Sequence, residues 1–176
     1  MSRLKRLTNI MIAICGIGLC LYDATKGDGL GITLIILAFL IAHSILVDDQ
    51  VMEISIIIIA GAIGSLVESI NVMAGFYQYV TVDEQLKFLP TWVILIWFLV
   101  GTTARNAFGG LSNKVHLTFA ASVLFALSIY SAGVKTGALL FSTENITTIG
   151  ASILSWSIAF AAIIIFSNKY FQVKVD

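Results

Sequence analysis

Apolar residues fall along the chain in six runs: Leu7–Tyr22, Leu30–Val47, Ile54–Phe76, Leu89–Ala104, Leu117–Val134 and Ile146–Phe166. Between them stand turn and charge residues: Lys26-Gly27-Asp28-Gly29, Val47-Asp48-Asp49-Gln50, Thr81 to Lys87, and Gly109 to Lys114. A helix that crosses a bilayer needs about 20 residues, within a range of roughly 17–25. The first and fourth runs have 16 each and must borrow flanking residues. Lys5, Arg6 and Arg105 permit this, because their stems lie along lipid while their charges reach the headgroups. Backbone groups in lipid must be bonded internally, and the alternation of a barrel is absent, so the runs predict helices. The fold class is therefore all-α, a polytopic transmembrane bundle of six spans forming a single integral membrane domain over residues 1–176. Pro90, the single proline, opens the fourth run, where its missing N–H leaves no hydrogen bond unmade. The least regular stretch is Ser131 to Ser142, where Gly133, Lys135 and Gly137 interrupt an apolar run. It predicts either a kink in the fifth helix or a short re-entrant piece.

Composition strengthens this pattern. Hydrophobic types make up 59% of the 176 residues and charged types 11%, and the mean hydropathy is +0.99. A soluble domain carries roughly 45–50% apolar and about 25% charged residues, and one this small could not bury the excess. A cytosolic enzyme, a nucleic-acid binder and a disordered chain are excluded. The opening Met-Ser-Arg-Leu-Lys-Arg imitates a signal peptide, but no small-residue cleavage site follows, so it reads as an uncleaved first span. Orientation follows Lys and Arg. Alternate connections place Arg3, Lys5, Arg6, Arg105, Lys114, Lys169 and Lys174 on one side, against Lys26, Lys87 and Lys135 on the other. This bias puts both termini in the cytoplasm, as for a multi-pass protein of a bacterial inner membrane.

The candidate chemistry lies on helix faces. Gly61, Gly64, Glu68, Asn71 and Gly75 follow a 3, 4, 3, 4 spacing that gathers them within about 80° of arc. Small residues let membrane helices approach closely. Asn9, Ala13, Gly16 and Cys20 form a similar stripe on the first run, and Thr148, Ser152, Ser155, Ala159 and Ala162 on the sixth. Glu68 is the one acid well inside a run, roughly 22 Å along the axis from Glu53. A carboxyl group there should face the bundle interior and be paired or protonated. Its depth brings Trp92, Tyr130, Lys135, Tyr77 and Tyr79 within reach and leaves Arg105 at the opposite end. A second polar group, His43, Arg105, Asn106 and Asn113, marks the inner end. There Arg105 with Asn106 could hold a lipid phosphate, although a helix-end anchor explains them as well. Tyr22, Tyr77, Tyr79, Trp92 and Tyr170 read first as interfacial belts. Trp97 and Trp156 fall near mid-span, where each indole N–H needs a partner. Cys15 and Cys20 point about 140° apart on a helix and make neither a disulfide nor a metal pair. No cofactor and no metal site is expected, and HExxH, CxxC and GxxxxGK[ST] motifs are lacking. Asn145-Ile-Thr147 matches a glycosylation acceptor only weakly.

Four stretches together resemble a bacterial inner-membrane family known as domain-of-unknown-function family 2878. They are Leu7-Thr-Asn9; Gly64-Ser-Leu-Val-Glu68-Ser with Gly75; Leu89-Pro90-Thr-Trp92 running into Ile96-Trp97-Phe98 and Gly101-Thr-Thr103; and Ser128-Ile-Tyr130-Ser-Ala-Gly133-Val-Lys-Thr-Gly137-Ala138. The chain departs from the family in having Glu68 where Asp is usual, and Phe125-Ala126-Leu127 where Gly-Pro is usual. The resemblance implies a multi-span inner-membrane protein with a pathway connection to membrane fatty-acid modification. It implies no activity.

Three functions remain in view. The first is a membrane component that is non-catalytic or of uncharacterised activity, an accessory to lipid modification with a membrane protein as partner. It predicts no substrate-sized cavity at Glu68. The second is an intramembrane enzyme acting on a lipid or polyprenoid, because Glu68 followed by Gly75-Phe-Tyr77-Gln-Tyr79 is distantly similar to carotenoid-hydrating membrane enzymes. In it Glu68 and Tyr130 are catalytic, with Tyr77, Trp92, Trp97, Arg105, Asn106 and Lys135 as binding residues. The third is a proton-coupled transporter, which lacks the repeats and broken helices of such folds. The bilayer is a partner in all three, and nucleic acid in none.

Overall fold

A computed structural model describes residues 3–27, 29–47, 49–80, 89–142 and 145–170. Asp28, Asp48, the Thr81–Lys87 separator and Lys174 lie outside them, as do the side chains of Arg3, Lys5, Arg6 and Tyr170. Each of the six apolar runs forms a helix: α1 (Arg3–Lys26), α2 (Gly29–Leu46), α3 (Gln50–Met73), α4 (Thr91–Asn106), α5 (Val115–Thr136) and α6 (Ile146–Tyr170). Four segments are long and apolar enough to cross a membrane: Leu7–Lys26, Gln50–Met73, Val115–Thr136 and Ile146–Lys169. Gly29–Ile45 is a shorter apolar helix. The outer faces are as greasy as the core, with Leu34, Ile58, Leu66, Leu124, Leu154 and Ile158 all exposed, as suits a protein solvated by lipid tails.

Helix ends follow local chemistry. Asp49 caps α3 by accepting from the Met52 N–H at 3.1 Å, which satisfies one of the donors that every helix start leaves open. Pro90 stands at the N-cap of α4, as its position predicts. Asn145 accepts from the Thr147 N–H at 3.0 Å, so the residue of the apparent glycosylation motif holds the start of α6. The third run was expected to reach Phe76, but α3 ends at Met73. Gly75 follows in the left-handed region at φ +73°, which only glycine enters without strain. Gly75 is therefore exposed and off the small-residue face.

Ser131 to Ser142 does not form a kinked helix. Instead α5 runs to Thr136 and stops at Gly137, also left-handed at φ 77°. The chain then extends as a strand, β2 (Leu139–Phe141), which pairs antiparallel with β1 (Tyr77–Tyr79) in the register Tyr77↔Phe141 and Tyr79↔Leu139. Both strands were unforeseen. They tie the α3–α4 connection to the α5–α6 connection, so both connections lie at one end of the bundle. At the other end the start of α1, the end of α2, the start of α3 and the end of α4 meet through Asn9, His43, Glu53 and Asn106. Near the end of α6, Asn168 bonds the Ala104 carbonyl there. The helices thus alternate in direction.

The 16-residue α4 is the hub, buried over most of its circumference and packed against α1, α2, α3 and α6. A helix that is apolar all round belongs in the middle of a bundle. Small residues face it as their spacing predicts. Leu99 sits over Gly16 of α1, while Phe98 and Trp97 sit over Gly61 and Gly64 of α3. Gly101 of α4 lies against the Ile57 backbone. On α6 the predicted stripe holds only in part: Ser152 and Ala159 are buried, but Ala162 is exposed. Trp156, Phe160, Ile163 and Ile164 fill that face instead.

Candidate functional site

Glu68 is buried at 3% exposure, and its carboxyl group gathers donors from two other elements. Tyr77 and Tyr79 alternate along β1, so their side chains leave the strand on the same side, and both hydroxyls donate to Oε2, Tyr79 at 2.7 Å. The indole of Trp97 on α4 donates to Oε1 at 3.1 Å. Trp97 reaches this oxygen because Gly64, one turn before Glu68, leaves open the space its ring occupies. Trp156 of α6 stacks on Trp97 with ring centres 4.6 Å apart and also stands against the carboxyl group.

Around this core lies a shell of polar links. The Tyr77 and Tyr130 hydroxyls are 3.1 Å apart. Asn71, three residues after Glu68 and so on the same helix face, donates to Ser155 Oγ at 2.9 Å. Its amide also reaches the Tyr77 hydroxyl at 3.4 Å. Burial, and then the Glu68 carboxylate, push the Tyr77 and Tyr79 phenols above their ordinary range, so both remain donors. Glu68, Tyr79, Trp92, Tyr130 and Trp156 line a cavity of about 20 Å³ whose other walls are mainly apolar. That is room for about one water molecule.

The sequence-derived residues are only partly brought together. Glu68, Tyr77, Trp97 and Tyr130 share the network, and Trp92 joins it edge-on to Tyr79 at 5.1 Å. Tyr77 and Trp92 are thus buried and not belt residues, whereas Tyr22 is exposed as a belt residue should be. Lys135 points outward from the last turn of α5. Arg105 is half-buried in the last turn of α4, at the far end of the bundle. Asn106 turns away from it, inward to Glu53.

The inner-end group also differs from its expected membership. The Asn9 amide donates to His43 Nδ1 at 3.2 Å, and His43 Nε2 meets Glu53 Oε1 at 2.8 Å. Asn106 Nδ2 donates to the same oxygen at 2.6 Å. Asn113 is exposed. Glu53 is the residue that sequence reasoning passed over, because a carboxyl at a helix start usually needs no partner beyond solvent. Only the turn between α2 and α3 folds His43 onto it. Glu53→Ala should therefore lower the thermal unfolding temperature of the detergent-solubilised protein more than Glu53→Gln, because only Gln retains an acceptor. Each buried donor left unmet costs about 1–3 kcal/mol, and equal melting of the two variants would show that these bonds contribute nothing.

The elements and contacts describe an all-helical protein of membrane type, with two buried polar knots at opposite ends of an apolar bundle. The chain belongs to the family described as Protein of unknown function (DUF2878), whose model matches residues 7–162. No curated protein and no solved structure matches it.

Proposed function

We propose that this is a six-span protein of the bacterial inner membrane with both ends in the cytoplasm, acting without chemistry of its own as an accessory to membrane lipid modification. Alternating helix directions and outward apolar faces support six crossings, and the seven-to-three division of Lys and Arg supports the orientation. The family resemblance supports the compartment and the pathway.

One observation carries the non-catalytic reading. The Glu68 carboxyl is already engaged by three protein donors, and the adjoining cavity is about 20 Å³. Sites that enclose a small-molecule ligand hold roughly 300–1,000 Å³, and a general acid must come within hydrogen-bond reach of the reacting atom. The space beside Glu68 takes about one small group, too little for the substituted double bond of a polyprenoid. The ring of tyrosines about Glu68 favours the intramembrane enzyme as the second reading, with Glu68 as acid and Tyr130 beside it. The transporter reading is weakest. Between Glu53 and Glu68 the α3–α4 seam is closely packed by Gly101 on Ile57, Phe98 on Gly61 and Trp97 on Gly64, which does not favour a polar path along that seam.

The test compares membrane lipid and pigment profiles of wild type, a deletion strain and Glu68→Gln. An altered profile on deletion with a wild-type profile in Glu68→Gln supports the accessory role, as does recovery of a membrane-protein partner after mild solubilisation. If Glu68→Gln accumulates normally yet reproduces the deletion, the enzyme reading replaces it.

A further inference from the structure

We infer that the cavity beside Glu68 receives the hydroxyl group of a membrane-soluble long-chain alcohol, with the chain lying outside between α1 and α5. Trp92 is 8% exposed, lines the cavity, and its Nε1–H has no hydrogen-bond partner among the described residues. An indole nitrogen can only donate, and a buried donor left unmet is destabilising. An acceptor entering the cavity beside Trp92 would answer this donor.

The same walls offer the complementary group. Tyr79 gives its proton to Glu68 and keeps lone pairs on its hydroxyl oxygen, and Glu68 and Tyr130 present further oxygens to the cavity. The missing group must accept from an indole and donate to an oxygen, and it must be about one heavy atom in size. An alcohol hydroxyl meets all three conditions, as water does, and the experiment below separates the two. A ketone accepts but cannot donate, and an ammonium donates but cannot accept. The remaining walls, including Leu21, Val93, Ile96 and Ile129, are apolar, so the rest of the molecule must be apolar too. Leu21 on α1 and Ile129 on α5 both line the cavity, so the seam between these helices is the inferred route by which a chain reaches the lipid.

The inference is independent of the accessory role: a failed lipid profile leaves it standing, and failed labelling leaves that role standing. The experiment uses the full chain in lipid nanodiscs with a diazirine-tagged 16-carbon primary alcohol, the matching methyl ketone and the matching alkane. Labelled peptides are located by mass spectrometry. The alcohol should label α1 and α5 about Leu21 and Ile129 at least several-fold more strongly than the ketone or alkane. Trp92→Phe, which keeps a ring and removes the N–H, should lower that labelling several-fold, and so should Tyr79→Phe. An alcohol-dependent rise in melting temperature, present in wild type and lost in Trp92→Phe, gives a second readout from folded protein. Equal labelling by ketone or alkane, unchanged labelling in Trp92→Phe, or no labelling because water alone fills the space would each overturn the inference.

Discussion

Glu68→Ala is expected to lower the thermal unfolding temperature of the solubilised protein by roughly 10 °C or more. The substitution strips the acceptor from Tyr77, Tyr79 and Trp97 together. Three buried donors at about 1–3 kcal/mol each, with a shift of about 2–4 °C per kcal/mol in a chain of this size, set that scale. Tyr77 can turn to the Tyr130 hydroxyl 3.1 Å away, so the lower part of the range is the better guide. The loss also releases β1 from α3, and the β1–β2 pair should loosen before the helices separate. Glu68→Gln retains one acceptor oxygen and should lose about half as much, since the tyrosine hydroxyls can turn to accept from its amide. Labelling of the buried thiol of Cys20 during heating would follow the unfolding. An alanine variant that melts with the wild type would show that the carboxyl does not hold these elements together.

Gly64→Ala is expected to do comparable damage with a single methyl group. A β-carbon at this position would stand 1.8 Å from Trp97 Cδ2 and 2.1 Å from its Cγ, far inside van der Waals contact. Trp97 has 0% exposure and is stacked on Trp156, so its ring cannot swing aside without leaving the Glu68 oxygen. Overpacking of a core costs about 1–3 kcal/mol or more, and the lost hydrogen bond adds to it. The expected result is lower accumulation in the membrane and a red-shifted indole emission. Gly61→Ala meets Phe98, whose ring is only half-buried and can move outward, so it should be milder. Gly18→Ala meets nothing within 4 Å and should be neutral or slightly stabilising by helix propensity. If Gly64→Ala behaves like Gly18→Ala, the seam between α3 and α4 is looser than the described contacts require.

Much of the bundle was legible in the sequence because lipid imposes one rule on every residue that enters it. Long apolar runs, Pro90 at a helix start and glycines spaced along the inner face of α3 are local consequences of that rule. Glu68 stood out for the same reason, since a carboxyl inside an apolar run must turn inward and find partners. Depth along the helix even selected Tyr77, Tyr79 and Tyr130 as residues at its level.

The partners of a buried group are a different matter. Whether Trp97 or Lys135 meets Glu68 depends on which helices are neighbours, and no periodicity within one helix carries that information. The β1–β2 pairing joins residues more than sixty positions apart through backbone groups, which have no side-chain signature, and Leu139-Leu-Phe141 reads equally well as helix. Glu53 looked like an ordinary helix-start acid until α2 laid His43 upon it. The chain by itself thus determined which segments are helical and which of their faces turn inward, because solvation acts residue by residue. Only the tertiary structure decided that α4 stands at the centre, that β1 delivers two tyrosines to one carboxyl oxygen, and that the space left beside them holds about one small group. Those outcomes follow from the mutual packing of surfaces far apart in sequence.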